Sequence, residues 1–283
     1  MHKIEHEIWS FLTNQRKIQK TEVELVRKDR GQRVRTFADL VLQVAELSFR
    51  NPEFVLFFRG QAKDFSNRVG VSSLYPAIFR DRKNYMQQAE VERRFLQLQR
   101  AEDLLSEQYN LDGARRLRIH QILRWAILQH YEVCATPLLD VTQSLRVACS
   151  FAQQQSKTGA WLYILGLPQI SGSVTASSEH GIQIIRLLSI CPPSALRPHF
   201  QEAYLVGEYP TISFKAKLEY DRNEFDFGQR LLCKFRLGPR ASFWTKEFPM
   251  IPERALYPDG HSDQLNLLAQ SIKKQLSIHA SVH

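Results

Sequence analysis

The sequence predicts an α+β fold, a single domain whose helix-rich N-terminal half packs on a mixed or antiparallel sheet. Apolar residues at helical spacing dominate the first half of the chain. Strand-like apolar runs gather in the second half, and no repeat or low-complexity linker separates the two. Helices and strands segregated in this way build one core of the α+β class. The 283 residues suffice to bury that core, and 43% apolar with 24% charged residues fits a soluble globular chain. No run reaches the roughly 18 apolar residues of a membrane helix.

In order, residues 1–20 are predicted helical from the spacing of Ile4, Ile8, Trp9 and Leu12. Glu22–Val26 alternates as a short strand would, and the charged segment Arg27–Arg35 reads as a turn. Thr36 is placed to cap a helix over Phe37–Phe49, which Asn51-Pro52 ends. The five apolar residues Phe54–Phe58 read as a strand buried on both faces. Gln61–Ser72 is polar and loop-like, and the apolar segment Ser73–Arg80 holds a proline and reads as a docked loop. Helices are predicted over about Tyr85–Glu107, Arg115–Gln129 and Ser144–Gln155. Ala160–Leu165 is a strand, Pro168–Gly181 a Ser/Gly-rich loop, and Gln183–Leu188 a further strand. Residues 211–219 and 230–237 read as late strands, and Ser262–Leu276 as the last helix.

Charge and cysteines bound the function classes. The net charge of +9 permits nucleic acid or another polyanion as partner without identifying one. The basic residues are spread out, and a solvated basic face is the simpler reading of Arg27–Arg35 and Arg115–Arg118. Cys134, Cys149, Cys191 and Cys233 have no CxxC spacing, which argues against zinc and for reduced thiols in a cytoplasm. The charged N-terminus has no apolar signal segment. Asp221, Glu224 and Asp226 read as a solvated acidic turn. Cys134 beside His130 reads as a buried thiol rather than a nucleophile. Walker A, GxGxxG and HExxH patterns are absent.

The strand that ends in Arg59-Gly60 is the first candidate site. A guanidinium at the end of a buried strand needs an anion or hydrogen-bond partner. Glycine beside it allows close approach of a backbone or a ligand. Two readings stand: Arg59 meets a ligand's anion, or it is clamped to a carboxylate such as Asp140. His130 is either a general base near neutral pH or a histidine bonded to a backbone carbonyl. Thr136, Asp140 and Thr142 are small polar groups among leucines. They line a pocket, or they cap the helix that starts near Ser144.

The ordered set Phe58-Arg59-Gly60, Leu74-Tyr75-Pro76, Gln129-His130-Tyr131, Thr136 to Thr142 and Val147-Ala148 with Phe151-Ala152 resembles the FRG domain, named for its aromatic-Arg-Gly motif. The landmarks, with Gln201-Glu202-Ala203 and Leu256-Tyr257-Pro258, span about residues 36–265, between an N-terminal extension over 1–35 and a C-terminal helix and tail over 266–283. The chain departs from the family pattern in five places. The glycine after the His motif is Glu132, one residue is inserted before Thr136, an arginine is Pro137, a tryptophan is Val141, and Gln-Gln-Gly is Gln201-Glu202-Ala203. The resemblance implies a component of bacterial toxin or phage-defence systems. A weaker fold-level likeness implies an ADP-ribosyltransferase-like cleft for NAD or another nucleotide. Under it Arg59, His130 and Glu202 are the catalytic candidates. Arg59, Gly60, Tyr131, Thr136, Asp140, Thr142 and Gln201 are the binding candidates. If Gln201 and Glu202 lie in a strand, only one of them faces the cleft. The alternatives are a non-catalytic module that holds a nucleotide-type molecule or a protein target in the same cleft, and a nucleic-acid-associated protein. Neither a metal site nor a membrane is expected.

Overall fold

The computed structural model describes every residue except 14, 16, 68, 81–87, 155, 157, 158, 212–224, 259–262 and 281–283, with residues 279 and 280 described in backbone only. The chain opens with β1 (Ile8–Ser10), β2 (Gln19–Thr21), α1 (Val23–Lys28), β3 (Gln32–Val34), α2 (Phe37–Arg50) and β4 (Val55–Gln61). Helices α3 (Gln88–Gln108), α4 (Ala114–Ile119) and α5 (Gln121–His130) come next, then β5 (Leu139–Thr142), α6 (Leu145–Gln154) and β6 (Ala160–Leu167). The last part holds β7 (Val174–Ser177), β8 (Ile182–Arg186), α7 (Leu187–Ile190), α8 (Leu196–Phe200), β9 (Ala203–Glu208), β10 (Leu231–Leu237), α9 (Arg240–Phe243), α10 (Glu253–Leu256) and α11 (Gln264–Ala280).

Eight strands form one mixed sheet in the order β3-β10-β6-β4-β5-β9-β8-β7. β3 runs parallel to β10, and every other neighbouring pair is antiparallel. The apolar runs lie at the centre, as their composition requires. Every residue of β6 except Trp161 is buried, so both of its faces are covered. The core falls in two clusters. One joins the central strands to α2, α6 and the N-terminal segment. The other joins α3, α5 and α11 to β8 and β9. The α+β class is therefore observed, and no described helix is long and apolar enough to cross a membrane.

One junction in the sheet leaves an opening between neighbouring strands. β4 is paired with β6 over seven positions, from Val55–Leu167 to Gln61–Trp161. On its other side, β4 meets β5 through the single pair Phe58–Thr142. Residues past that pair, on both strands, have no ladder partner across the gap.

Several local expectations are corrected. Residues 1–20 contain the antiparallel hairpin β1–β2 rather than a helix. Ile8 and Ser10 are buried on one side of β1, and Phe11 packs on Phe235 with ring centroids 6.0 Å apart, so docking on β10 decides the conformation. Glu22–Val26 belongs to α1, because Val23, Val26 and Arg27 bury one helical stripe there. Arg27–Arg35 is the end of that helix followed by β3. The helix expected over Arg115–Gln129 is broken at His120, whose backbone is extended. The loop at Pro168–Gly181 contains β7, an edge strand paired with β8. Asp226 is fully buried, not part of a solvated turn. Residues 212–220, Asp221, Glu224 and the predicted starts of the helices at 85 and 262 lie outside the described residues.

The remaining elements follow the sequence. Thr36 caps α2 by accepting a hydrogen bond from the Asp39 amide at 3.1 Å. The docked segment before Arg80 buries Leu74, Ile78 and Phe79 around a single 3-10 turn.

Candidate functional site

The site lies where β4 and β5 separate. A cavity of about 190 Å³ opens there, lined by Phe58, Arg59 and Gly60 of β4 and by Asp140, Val141 and Thr142 of β5. Gln129 and His130 at the end of α5, Ala148 and Phe151 of α6, and Glu132, Arg197, Gln201, Ala203 and Tyr257 complete it. Its volume is below the roughly 300–1,000 Å³ of pockets that enclose drug-sized ligands. It matches a ring or a sugar rather than a whole dinucleotide.

Arg59 reaches across the gap. Its Nη1 donates to the main-chain carbonyl of Asp140 at 2.6 Å, while its buried Nε has no partner. The clamp onto the Asp140 carboxylate that the sequence allowed is not what forms. Gln129 Nε2 donates to Asp140 Oδ2 at 2.8 Å, and His130 Nδ1 lies 3.5 Å from Oδ1. Thr136 stands one layer back, donating its hydroxyl to Gln129 Oε1 at 2.8 Å and thereby fixing which end of the amide faces Asp140. The side chain of Asp140 is 38% exposed, so the carboxylate is open to the cavity.

The electrostatics arise from these contacts. Burial works against ionisation of Asp140. The hydrogen bond and charge of His130, the Arg59 guanidinium and the Gln129 amide outweigh it and hold the carboxyl at about 2. Burial drives the His130 pKa down, while the hydrogen bond and charge of Asp140 pull it up. With Nδ1 turned to Asp140, its buried Nε2 has no partner. Burial also lowers the pKa of Arg59, with Asp140 and Tyr163 opposing it.

Gly60 owes its place to packing. A Cβ there would fall 1.9 Å from the carbonyl oxygen of Ala148 and 2.9 Å from the Ala152 Cβ, so α6 packs directly on the β4 backbone. The close approach is that of a helix, although Gly60 also lines the cavity. Thr142 donates its hydroxyl towards the carbonyls of Gln201 and Glu202, each at 3.0 Å, and accepts from the Ser144 amide at 3.0 Å. It thus joins β5, α6 and the turn before β9.

The Gln201–Glu202 turn departs from expectation. Neither residue is in a strand. Gln201 ends α8 and donates to the Leu256 carbonyl at 2.8 Å. Glu202 has φ 44° and is exposed, away from the cavity lining. Tyr131 is fully buried, with its hydroxyl on Asp263, and does not line the cavity either. The structure thus gathers Arg59, Gly60, His130, Asp140, Thr142 and Gln201 round one space. Tyr131 and Thr136 stand behind it, and Glu202 stands outside.

Three lining residues were not among the site candidates read from the sequence. Arg197 stacks over the rings of Tyr257 (4.7 Å to centroid) and Tyr131 (5.7 Å), and its Nη2 meets Glu132 Oε1 at 2.5 Å. Glu132 has φ 56°, a left-handed backbone that favours glycine. Arg197 and Tyr257 come from segments far along the chain, and only the fold brings them to Glu132.

Comparison with protein-family models matches residues 55–160 to the FRG domain. The matched stretch runs from β4 to the first residue of β6. It contains the Arg59, His130, Asp140 and Thr142 positions, while Arg197, Gln201 and Tyr257 lie beyond it. The chain carries an FRG domain there. No curated protein and no solved structure matches the chain.

Proposed function

We propose that the cleft between β4 and β5 binds a nucleotide-type small molecule, and that the chain is an NAD-consuming, ADP-ribosyltransferase-like effector of the toxin or phage-defence kind. The carrying observation is a set of three ionisable groups that line one cavity: the Arg59 guanidinium, the Asp140 carboxylate and the His130 imidazole. Two of them, Arg59 and His130, each keep a ring or guanidinium nitrogen without a partner. Unsatisfied buried polar atoms are uncommon in folded proteins and cost about 1–3 kcal/mol each. Arg197, which also lines the cavity, keeps its Nε without a partner, and guanidinium donors of this kind fit a ligand's oxygens.

Each group has a role in such a reaction. Arg59 would hold a phosphate or ribose oxygen with charge-assisted bonds. Transfer breaks the bond between the ribose and nicotinamide, and the bonding electrons leave with nicotinamide. Asp140, which lines the cavity where Glu202 does not, would offset the positive charge that develops on the sugar. His130 Nε2 would accept the proton of the incoming nucleophile, with Nδ1–H oriented by Asp140. The cavity volume suits the ring-and-sugar end of the ligand.

The small volume and the exposed Glu132–Arg197 pair at the cavity also favour a second reading, a binding module that senses such a ligand without turning it over. One experiment separates them. NAD and ADP-ribose are added to the wild type and to Arg59→Gln and His130→Gln, and thermal stabilisation and nicotinamide release are both followed. The enzyme reading expects stabilisation and release in the wild type, with release lost in both variants. Stabilisation without release supports the module. Neither stabilisation nor release rejects the cleft as a nucleotide site.

A further inference from the structure

We infer that Arg197 is the anion-binding group of this cavity and that the Glu132 carboxylate is its exchangeable counterion, so that a phosphate on the ligand takes the place of Glu132. This deepens the nucleotide-type reading and rests on it. Arg197 is held rigidly: its side chain is 12% exposed, its guanidinium is stacked on Tyr257, and its amide donates to Asp263 Oδ2 at 3.1 Å. Its buried Nε has no partner. Arginine presents a planar fork that matches phosphate with two parallel bonds, and Glu132 engages one terminal nitrogen. Glu132 is the opposite kind of residue. Its side chain is 61% exposed, and its backbone sits in the left-handed region. A carboxylate so exposed is easily surrendered to solvent. The fixed cation and the loosely held anion both line the cavity.

The arrangement also sets ligand preference. With Arg59 at one side of the cavity and Arg197 at another, a phosphorylated nucleoside gains a contact that its nucleoside lacks. Glu132 competes for that contact and lowers the affinity.

Calorimetric titration tests this on the full chain with adenosine, ADP and pyrophosphate as probes. Glu132→Gln is expected to tighten ADP binding about three- to tenfold, and Arg197→Gln to weaken it at least tenfold, with adenosine binding unchanged in both. The gain from Glu132→Gln disappears in the double variant if it acts through Arg197. Should Arg197→Gln fail to fold, Glu132→Gln leaves the arginine in place and still carries the test. Wild-type ADP binding that neither variant alters overturns the exchange and leaves the nucleotide reading standing. Arg197-dependent pyrophosphate binding with no binding of adenosine or preference for ADP upholds the anion site and rejects the nucleotide. Binding of none of the three probes rejects both.

Discussion

Two clusters of buried charge lie on one sheet, and they differ in whether their hydrogen bonds are complete. Arg59, Tyr163 and Lys234 are register partners on β4, β6 and β10, so they form one row on one face. At the Lys234 end every group is matched. Lys234 Nζ donates to Asp64 Oδ2 at 3.0 Å, to the Ser72 hydroxyl at 2.6 Å and to the Arg27 carbonyl at 3.3 Å. Asp64 Oδ1 accepts from the hydroxyls of Tyr163 and Ser72, each at 2.7 Å. Arg27 pairs with Asp226, whose Oδ1 also takes the amides of Leu74 (2.7 Å) and Gly228 (2.9 Å). At the Arg59 end, Arg59 Nε and His130 Nε2 are buried without partners and a cavity adjoins them. Buried charge alone therefore marks neither scaffold nor site. The Lys234 end has complete bonding, and the Arg59 end, where the site is proposed, has incomplete bonding beside a cavity.

The largest loss is expected at the satisfied end. Asp226→Ala leaves the buried Arg27 with only the half-exposed Glu24, at 3.5 Å, as a counterion and strands two amides, and is expected to cost about 3–5 kcal/mol in urea unfolding. Gly60→Ala comes next. Its methyl meets the Ala148 carbonyl, and overpacking of about 1–3 kcal/mol is expected, read as a fall in melting temperature with α6 displaced. Arg59→Gln is expected to change stability by no more than about 1 kcal/mol, the worth of an ordinary hydrogen bond, while removing ligand binding. A loss as large as that of Asp226→Ala would make Arg59 scaffold and erase the difference between the two ends.

Acid separates the two ends further. His130 has a lowered pKa in the fold, so below about pH 6.5 the unfolded chain binds a proton that the folded chain refuses. Stability is lost as pH falls from there through the folded value. Asp140 adds a second loss, from the ordinary carboxylate range down through about 2. His130→Gln is expected to flatten the first part of the curve and to shrink the second, because His130 helps to lower the Asp140 pKa, checked by urea midpoints across pH. The smallest effect is expected for Glu132→Gly, within about 1 kcal/mol of the wild type, because relief of left-handed strain offsets loss of an exposed ion pair.

These ends were not equally legible in the sequence. Arg59 announced itself by closing an apolar strand, and His130, Asp140 and Thr142 by standing as polar residues in apolar surroundings within an ordered motif. The long periodic helices and β6 were readable for the same reason: their signal is local. Arg27 and Asp226 were read as surface charge because their meaning is their pairing, and they lie 199 positions apart. Arg197 likewise gains its role from Tyr257 and Glu132. β1, β2 and β3 are three residues each, and pairing with distant strands rather than propensity forms them. Glu202 was favoured for its charge, and the turn before β9 carries it away from the cavity.

If the Arg59 end of the row is a ligand site and the Lys234 end is not, the two cations must differ in what they do for binding. Calorimetric titration of NAD into the wild type, Arg59→Gln and Lys234→Met, at a temperature where all three are folded, measures that difference. The predicted result is binding by the wild type and by Lys234→Met, with none by Arg59→Gln. Equal binding by the wild type and Arg59→Gln, or binding lost only in Lys234→Met, would contradict it.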